Sequence, residues 1–457
     1  MLRPAVPVPG GDPPPEETSH DWHPTKALGR ALVLVGLLLV GAVLFGRIDL
    51  VVIAVPFVAS VAWGLSRRPR TVPGLRLATL EEYAAEGAEL TTTLTAANRD
   101  VVAYDLVVAR TQHSAWLTLR STNGDKQPDR PVVAALNRGE AADVVLKGPA
   151  RRWGRHSIGP AAAVAAAGGG LLACRAVVTG SLGFKVFPVT EPFAAVEAMP
   201  RAAGLVGQHR SRRAGEGGEL AGVRQFGPGD RLRRIDWRTT LRTRQLHVAR
   251  TLSDRDAEVV LLLDVLTEAG RSGGIAGEAS VVDTTVRASA AIAEHYLTLG
   301  DRVSLIEYGA NDRRLRPASG RRQFMMVLEW LLDVYPHQVV RVAGGSRLSA
   351  AISPNALVVV MTPLLDARSA DMIAGLARAG RFVVTVDTLP AGIGTQTANA
   401  WTPAAFGIWR LERANTIGQL REHGVPVVSW QGAGSLDLVL RDVARMAGRA
   451  QGAGVHR

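Results

Sequence analysis

Two uncharged apolar runs stand out near the start of the chain. Ala31 to Gly46 (ALVLVGLLLVGAVLFG) is followed by Arg47-Ile48-Asp49 and then by Leu50 to Leu65 (LVVIAVPFVASVAWGL). Both are apolar on every side rather than along one stripe, the pattern of helices surrounded by hydrocarbon. Each run holds 16 residues, short of the ~20 that span a bilayer, but Lys26, Arg30, Arg67 and Arg68 can snorkel outward and lengthen the usable segment. The pattern predicts a transmembrane helical hairpin over residues 27–70. A signal peptide fits poorly, because neither a short basic leader nor a small-residue cleavage site is present; a hairpin buried in a soluble core is the other reading. Lys26 and Arg30 precede the first run, and Arg67, Arg68 and Arg70 follow the second. The positive-inside rule then puts both ends, and the bulk of the chain, in the cytoplasm beside the cell membrane. Residues 1–26, with Pro13 to Pro15 and a Gly-Gly pair, read as a disordered cytoplasmic tail.

Short alternating stretches follow. Glu89 to Asn98, Tyr104 to Arg110, Ala141 to Ala150 and Gly183 to Val189 are rich in β-branched residues and bounded by turn formers, predicting a β-sandwich domain over 71–190. Within it "RRWGRHSIGP" (Arg151 to Pro160) reads as a hairpin turn at Trp153-Gly154, with a basic recognition loop as the alternative. Residues 191–255 are a linker leading into an arginine-rich segment.

From residue 256 to 445 the period changes. Asp256 to Leu266 (DAEVVLLLDVL) is a continuous apolar run, as in a strand covered on both faces. Val281 to Gly300 reads as a helix, Arg302 to Gly309 as a strand, Arg321 to Val334 as a helix, Asn355 to Leu364 as a strand, Ala367 to Gly380 as a helix and Arg381 to Leu389 as a strand. Such alternation predicts an α/β domain with a doubly wound parallel sheet. Residues 446–457 form a flexible tail.

Composition narrows the chemistry. At 457 residues the chain holds two or three domains, and its net charge of +12 suits either nucleic acid or an anionic membrane face. The single cysteine, Cys174, excludes an intrachain disulfide framework and reads as a small buried apolar residue. The glycine-rich stretches lack the phosphate-cradling G-x-x-x-x-G-K-[ST] pattern, and neither H-E-x-x-H nor G-x-S-x-G occurs. His295 reads as ordinary helix surface. No catalytic residue and no cofactor is expected.

The densest signal is Val223 to Arg250, VRQFGPGDRLRRIDWRTTLRTRQLHVAR, with eight arginines. Pro228-Gly229 suits a tight turn that Asp230 can brace, and Asp236 is placed to cap a short helix. Trp237 is expected to pack beneath the arginines, which then pair with carboxylates of this chain or of an acidic partner. This stretch resembles the bacterial domain of unknown function 58 family, whose pattern R-x-Y/F-x-P-G-D-x-x-R-x-I-x-W-x-x-x-A-R-x-x-x-L is met by Arg224, Phe226, Pro228, Gly229, Asp230, Arg234, Ile235, Trp237, Arg242 and Leu246, with Asp236 before the tryptophan and Leu241 at the usual small position. The resemblance runs from about residue 30 to 445 and implies two spans, a sandwich and a von Willebrand factor A-like domain.

Metal-binding A domains carry D-x-S-x-S after the first strand, where an aspartate and two hydroxyls hold Mg²⁺. Here Asp264 is followed by Leu266 and Glu268 at the serine positions, and Thr362-Pro363 stands where a later aspartate is usual. The conventional site is therefore broken; Asp264, Thr267, Glu268, Thr362 and Asp366 are the candidates for a degenerate cation site at the strand carboxyl ends, with Mg²⁺ as its candidate ion, and solvated loop residues are the favoured reading of the same acids. The resemblance implies a membrane-anchored adaptor working with a MoxR-type AAA ATPase on client protein complexes. The alternative is a metal-dependent binding or hydrolytic domain using the acidic loop residues. No nucleic-acid partner is expected, since stacking aromatics in a basic groove are needed, and Phe226 and Trp237 sit where a core would serve equally well.

Overall fold

The computed structural model describes residues 22–122, 132–190, 214–227, 235–252, 258–309, 313–336, 345–354, 356–390, 393 and 401–430. The chain divides into two compact units, 1–186 and 187–457.

The first unit opens with a three-residue strand β1 (Trp22–Pro24), then two apolar helices, α1 (Lys26–Phe45) and α2 (Ile48–Ser66). Thr25 caps α1 by accepting from Ala27 N, and Gly46 ends it in the left-handed region at φ 63°, a conformation glycine adopts without a Cβ clash. At 20 residues α1 is ~30 Å long, the thickness of a bilayer core. Both helices are long and apolar enough to cross a membrane, and only 11% and 17% of their most apolar windows are buried. That exposure disfavours the reading of a hairpin buried in a soluble core.

Twelve strands complete the unit: β1, then β2 (Gly74–Thr79), β3 (Tyr83–Ala85), β4 (Glu89–Ala97), β5 (Tyr104–His113), β6 (Arg120–Ser121), β7 (Val132–Leu136), β8 (Ala141–Pro149), β9 (Gly154–Ala167), β10 (Leu172–Cys174), β11 (Val177–Val178) and β12 (Leu182–Phe187). They form a four-stranded sheet, β2-β4-β8-β6, and an eight-stranded sheet built around β9. Leu77, Leu90, Leu94 and Val144 of the first share one core with Tyr104, Ile158, Ala161, Ala163, Ala165 and Phe184 of the second. Cys174 is 1% exposed within that core, and its sulfur accepts from Ala165 N.

Two sequence expectations change here, and one strand was not expected. Trp22 to Thr25 are not tail: β1 pairs with β10, the Trp22 indole donates to the Thr71 carbonyl at 3.0 Å, and Arg68 donates to the Trp22 carbonyl. The segment 151–153 is no hairpin turn either, because β8 and β9 belong to different sheets and the chain crosses between them. Finally, the central strand β9 is the alanine-rich run Gly154–Ala167, which carries no strand periodicity of its own. The helical hairpin is seated on this unit through glycines: a Cβ on Gly64 would lie 2.6 Å from the Gly168 carbonyl oxygen.

The second unit begins with an antiparallel ribbon, β13 (Ala214–Gln225) and β14 (His247–Leu252), with the short helix α3 (Trp237–Thr243) between them. Residues expected to be linker thus form a ribbon where they are described. The six-stranded sheet that follows has the order β17-β16-β15-β18-β19-β20. Its strands are β15 (Glu258–Asp264), β16 (Arg302–Tyr308), β17 (Arg314–Ala318), β18 (Ala356–Thr362), β19 (Phe382–Asp387) and β20 (Val427–Ser429). All neighbours are parallel except β16 and β17, so the expected parallel sheet carries one antiparallel edge. Helices α4 (Val281–Thr298), α5 (Arg321–Leu331), α6 (Gly345–Ala351), α7 (Ala367–Arg378) and α8 (Thr402–Glu422) cover it. Val260, Leu262, Val358 and Val360 share a core with Leu348 of α6, Ile373 and Leu376 of α7 and Leu420 of α8. Helix α4 begins with a reciprocal capping box between Ser280 and Asp283, which satisfies two amides that a helix start otherwise leaves open.

Candidate functional site

Parallel strands end together, so the sheet gathers polar groups at its carboxyl edge. Asp264 of β15 lies in register with Tyr308 of β16, and Thr362 of β18 with Asp387 of β19. Asp264 is 2% exposed. Its Oδ2 accepts from Thr362 Oγ1 and from Ser369 Oγ, both at 2.6 Å, and its Oδ1 accepts from Leu266 N at 3.1 Å. Thr362 Oγ1 in turn accepts from Leu364 N. Burial pushes the Asp264 carboxyl above its ordinary range, while the hydrogen bonds from Ser369 and Thr362 pull the other way. The result is a closed knot that ties the end of β15 to the end of β18 and to α7.

The other expected members of the degenerate site serve elsewhere. Asp366 caps α7 by accepting from Arg368 N and grips the Arg368 guanidinium at 2.6 Å; the Arg368 hydrogen bonds hold its carboxyl below the ordinary value. Glu268 accepts from Val282 N at 3.4 Å, near the start of α4, and Thr267 is half-buried. Asp264 and Thr362 are therefore brought together, while Glu268 and Asp366 each bond a backbone amide near the start of a helix. Among the described residues no three His, Cys, Asp or Glu side chains group as metal ligands.

Sequence reasoning missed half of this edge. Ser369 sits inside α7, and only the turn of that helix over β15 brings its hydroxyl to Asp264. Asp387 accepts from Arg413 of α8 at 2.5 Å, and the same guanidinium donates to the Pro363 carbonyl. Thr285 of α4 donates to Thr388 at 3.0 Å. The only sequence signal was position: polar residues directly after apolar strands. His295, expected on open helix surface, is half-buried and edge-on to Tyr296 at 5.2 Å.

The arginine-rich segment is the second candidate. Pro228, Gly229, Asp230 and Arg234 lie outside the described residues. Around them, Phe226 N donates to Leu246 O and Asp236 N to His247 O, pinning both ends of the insertion to β14. Asp236 caps α3, accepting from Thr239 N at 2.8 Å; that bond chiefly holds its carboxyl below the ordinary value. Phe226 and Ile235 are half-buried, and Val248 is buried. Trp237 does not pack beneath the arginines: it is 61% exposed, with Leu241, one turn on, at 77% and Leu246 at 46%. Arg238, Arg242 and Arg244 are exposed beside them. Helix α3 has seven residues and buries none of them.

Residues 222–389 match the model of a family described as "Protein of unknown function DUF58". Over 119 residues the chain is 35% identical to uncharacterized proteins of Mycobacterium bovis and Mycobacterium tuberculosis. The aligned part covers 26% of this chain and 37% of those relatives. Among solved structures, a cohesin module of a Clostridium perfringens glycoside hydrolase is similar at 14% identity, over 26% of this chain and 99% of the module, with a TM-score of 0.19. The seventh PapD-like domain of human CEP192 is similar at 11% identity, over 25% and 86%, with a TM-score of 0.16. At such scores neither likeness bears on the fold or function of this chain.

Proposed function

We propose that this chain is a membrane-anchored, non-catalytic docking protein, its helical hairpin in the bilayer and its arginine-rich ribbon presented to a partner protein in the cytoplasm. The observation that carries the reading is the outward face of α3. Trp237 and Leu241 stand in solvent, one helical turn apart, flanked by Arg238 and Arg242. An exposed tryptophan among arginines has the composition of an interface anchor rather than of an inert surface. A partner with an apolar groove rimmed by carboxylates complements it. A MoxR-type AAA ATPase is the partner class that the family resemblance suggests, and a von Willebrand factor A-like arrangement is our reading of the α/β unit, as a β-sandwich is of the two antiparallel sheets. The test is photocrosslinking from position 241 of the full chain in native membranes. A crosslinked AAA ATPase, lost in Trp237→Ala while the melting temperature stays unchanged, is the expected result. Retained crosslinking in that variant removes α3 from the interface.

A metal-dependent function is the second reading, because Asp264 sits at the sheet edge where cations bind in related architectures. It would require the carboxylate to give up the donors Thr362, Ser369 and Leu266. Millimolar Mg²⁺ or Mn²⁺ is expected to leave the melting temperature unchanged; an upward shift abolished by Asp264→Ala restores the metal reading, since a ligand of the folded state must raise it. Nucleic acid is the outcome that would displace both. Exposure of Trp237 meets one requirement for stacking, yet a strand-binding groove needs successive rings. Submicromolar, steeply salt-dependent DNA or RNA binding at physiological salt would overturn the docking reading.

A further inference from the structure

Both feet of the helical hairpin stand on one turn of the first unit. At the start of α1, Thr25 N donates to Leu171 O at 2.9 Å and Thr25 Oγ1 to Gly170 O at 2.8 Å. Near the end of α2, Gly64 lies against Gly168. Residues 168–171 join β9 to β10, so α1 starts and α2 ends at the same level of the unit. Beyond α2 the chain is pinned again: Arg70 N and Thr71 N both donate to Asp100 Oδ2 at 2.6 Å, and Asp100 is buried. A carboxylate accepting from two successive amides makes strong, directional bonds that fix the backbone there.

This footing gathers four cations near one level. Lys26 opens α1 and Arg67 directly follows α2. Arg70 lies just beyond, and Arg30 is one turn into α1, about 6 Å deeper, within snorkelling reach of the helix end. All four residues are exposed, and none of their side chains forms an ion pair with a carboxylate among the described residues. Asp105, an acid that touches the 168–171 turn, accepts from Gly170 N at 3.1 Å. The far end of the hairpin differs, because there Arg47 is matched by Asp49.

Charge alone would suit any anion, but the surface beside the cations narrows the choice. Leu32, Val33, Trp63 and Leu65 turn apolar side chains outward, and the Arg67 guanidinium lies 4.2 Å over the Trp63 ring, an amphipathic pairing suited to headgroup level. A molecule that satisfies both features carries its negative charge next to acyl chains. The four cations share a level rather than a face, so each headgroup meets one or two of them. We propose that the feet of the hairpin form a cationic collar that gathers phospholipids with a net negative headgroup, such as phosphatidylglycerol, at the sheet-bearing end. Resting on the membrane-anchored reading, the collar adds to it a choice of lipid.

The full chain is reconstituted in phosphatidylcholine vesicles, and spin-labelled phosphatidylglycerol and phosphatidylcholine are compared by electron spin resonance, which separates lipid held against the protein from bulk lipid. Phosphatidylglycerol is expected to be enriched about threefold in the held fraction: about fivefold in the leaflet at the feet, the effect of one basic residue per headgroup, averaged with an unselective shell in the other leaflet. The Lys26→Gln/Arg30→Gln/Arg67→Gln/Arg70→Gln variant should lose the preference while holding as much phosphatidylcholine as the parent, and Arg47→Gln should keep it. A second readout needs no variant. Raising the ionic strength from about 0.1 M to about 1 M shortens the screening length from ~10 to ~3 Å, so the parent's preference should weaken. Equal holding of the two lipids by the parent, a preference that survives in the fourfold variant or is indifferent to salt, or one lost equally in Arg47→Gln overturns the collar. Soluble sn-glycerol 3-phosphate at millimolar concentration should leave the held phosphatidylglycerol in place; displacement would assign the cations to a soluble anion and overturn the proposal. Held phosphatidylcholine without any preference removes the collar and leaves the anchor standing, whereas no held lipid of either kind removes the hairpin from the bilayer, and the anchoring reading falls together with the proposal.

Discussion

Asp264 joins the ends of β15 and β18 to α7, and its burial makes a pH signature. Burial lifts its carboxyl above the ordinary value of 3.8 against the pull of Ser369, Thr362 and Leu266. A raised folded pKa means that the folded chain keeps a proton the unfolded chain has released. That contribution is complete below pH 3.8 and is lost as pH rises through the folded value. Asp264→Asn cannot ionise, so its melting temperature relative to the parent should climb as pH rises above 3.8; parallel curves would show that the carboxyl titrates normally. Removing a donor acts in the other direction. Ser369→Ala leaves a buried acceptor one partner short, a loss of about 1–3 kcal/mol, readable by urea denaturation of the full chain. The sequence made Asp264 legible, because an acid ending an apolar run marks a strand's carboxyl end. It left Ser369 and Arg413 illegible, since their contacts bridge 105 and 26 residues and depend on how each helix returns over the sheet.

At the scale of elements, the seat of the helical hairpin rests on a backbone contact that only glycine permits. A Cβ on Gly64 would approach the Gly168 carbonyl oxygen to 2.6 Å and the Leu171 side chain to 2.7 Å, whereas Gly36 on α1 has nothing within 4 Å. Gly64→Ala should therefore destabilise the first unit by about 1–3 kcal/mol through overpacking, while Gly36→Ala stays silent; equal effects of the two would mean that α2 does not rest on the β9–β10 turn. The elements with a strong period were legible: β15, β18 and β19 as continuous apolar runs, α4 and α7 as amphipathic stretches with polar caps. Strand β9 was not. Alanine favours helix by propensity, and Ala161, Ala163, Ala165 and Ala167 become strand because neighbours on both sides pair with β9 while their methyl groups face the core that the two sheets share; each is at most 1% exposed. The position of Trp237 misled for a related reason. An aromatic among apolar neighbours reads as core, but α3 is one short helix spliced into a ribbon, with no second layer described over its outer face.

At the scale of the molecule, the charges that flank the hairpin are the basis of the orientation we propose for it. Arg68 donates to the Trp22 carbonyl and Arg67 lies over the Trp63 ring at 4.2 Å, so the cations after α2 are held at the end of the hairpin that carries the first unit's sheets. The opposite end is the tight Gly46-Arg47 turn, where Arg47 pairs with Asp49 at 2.7 Å in the open. Cationic residues on the sheet-bearing side favour the cytoplasm for that side, and a turn with one arginine against Lys26, Arg30, Arg67, Arg68 and Arg70 offers little opposition. The native chain suits a thiol test, because its single cysteine is 1% exposed and contributes little background. Arg47→Cys in intact cells should react with a membrane-impermeant maleimide, while Leu80→Cys, at a position 81% exposed, should react only after the membrane is opened. The reverse pattern would place the sheets outside the cell and end the cytoplasmic docking reading. Labelling of both positions in intact cells would show that α1 and α2 do not hold the chain across a membrane.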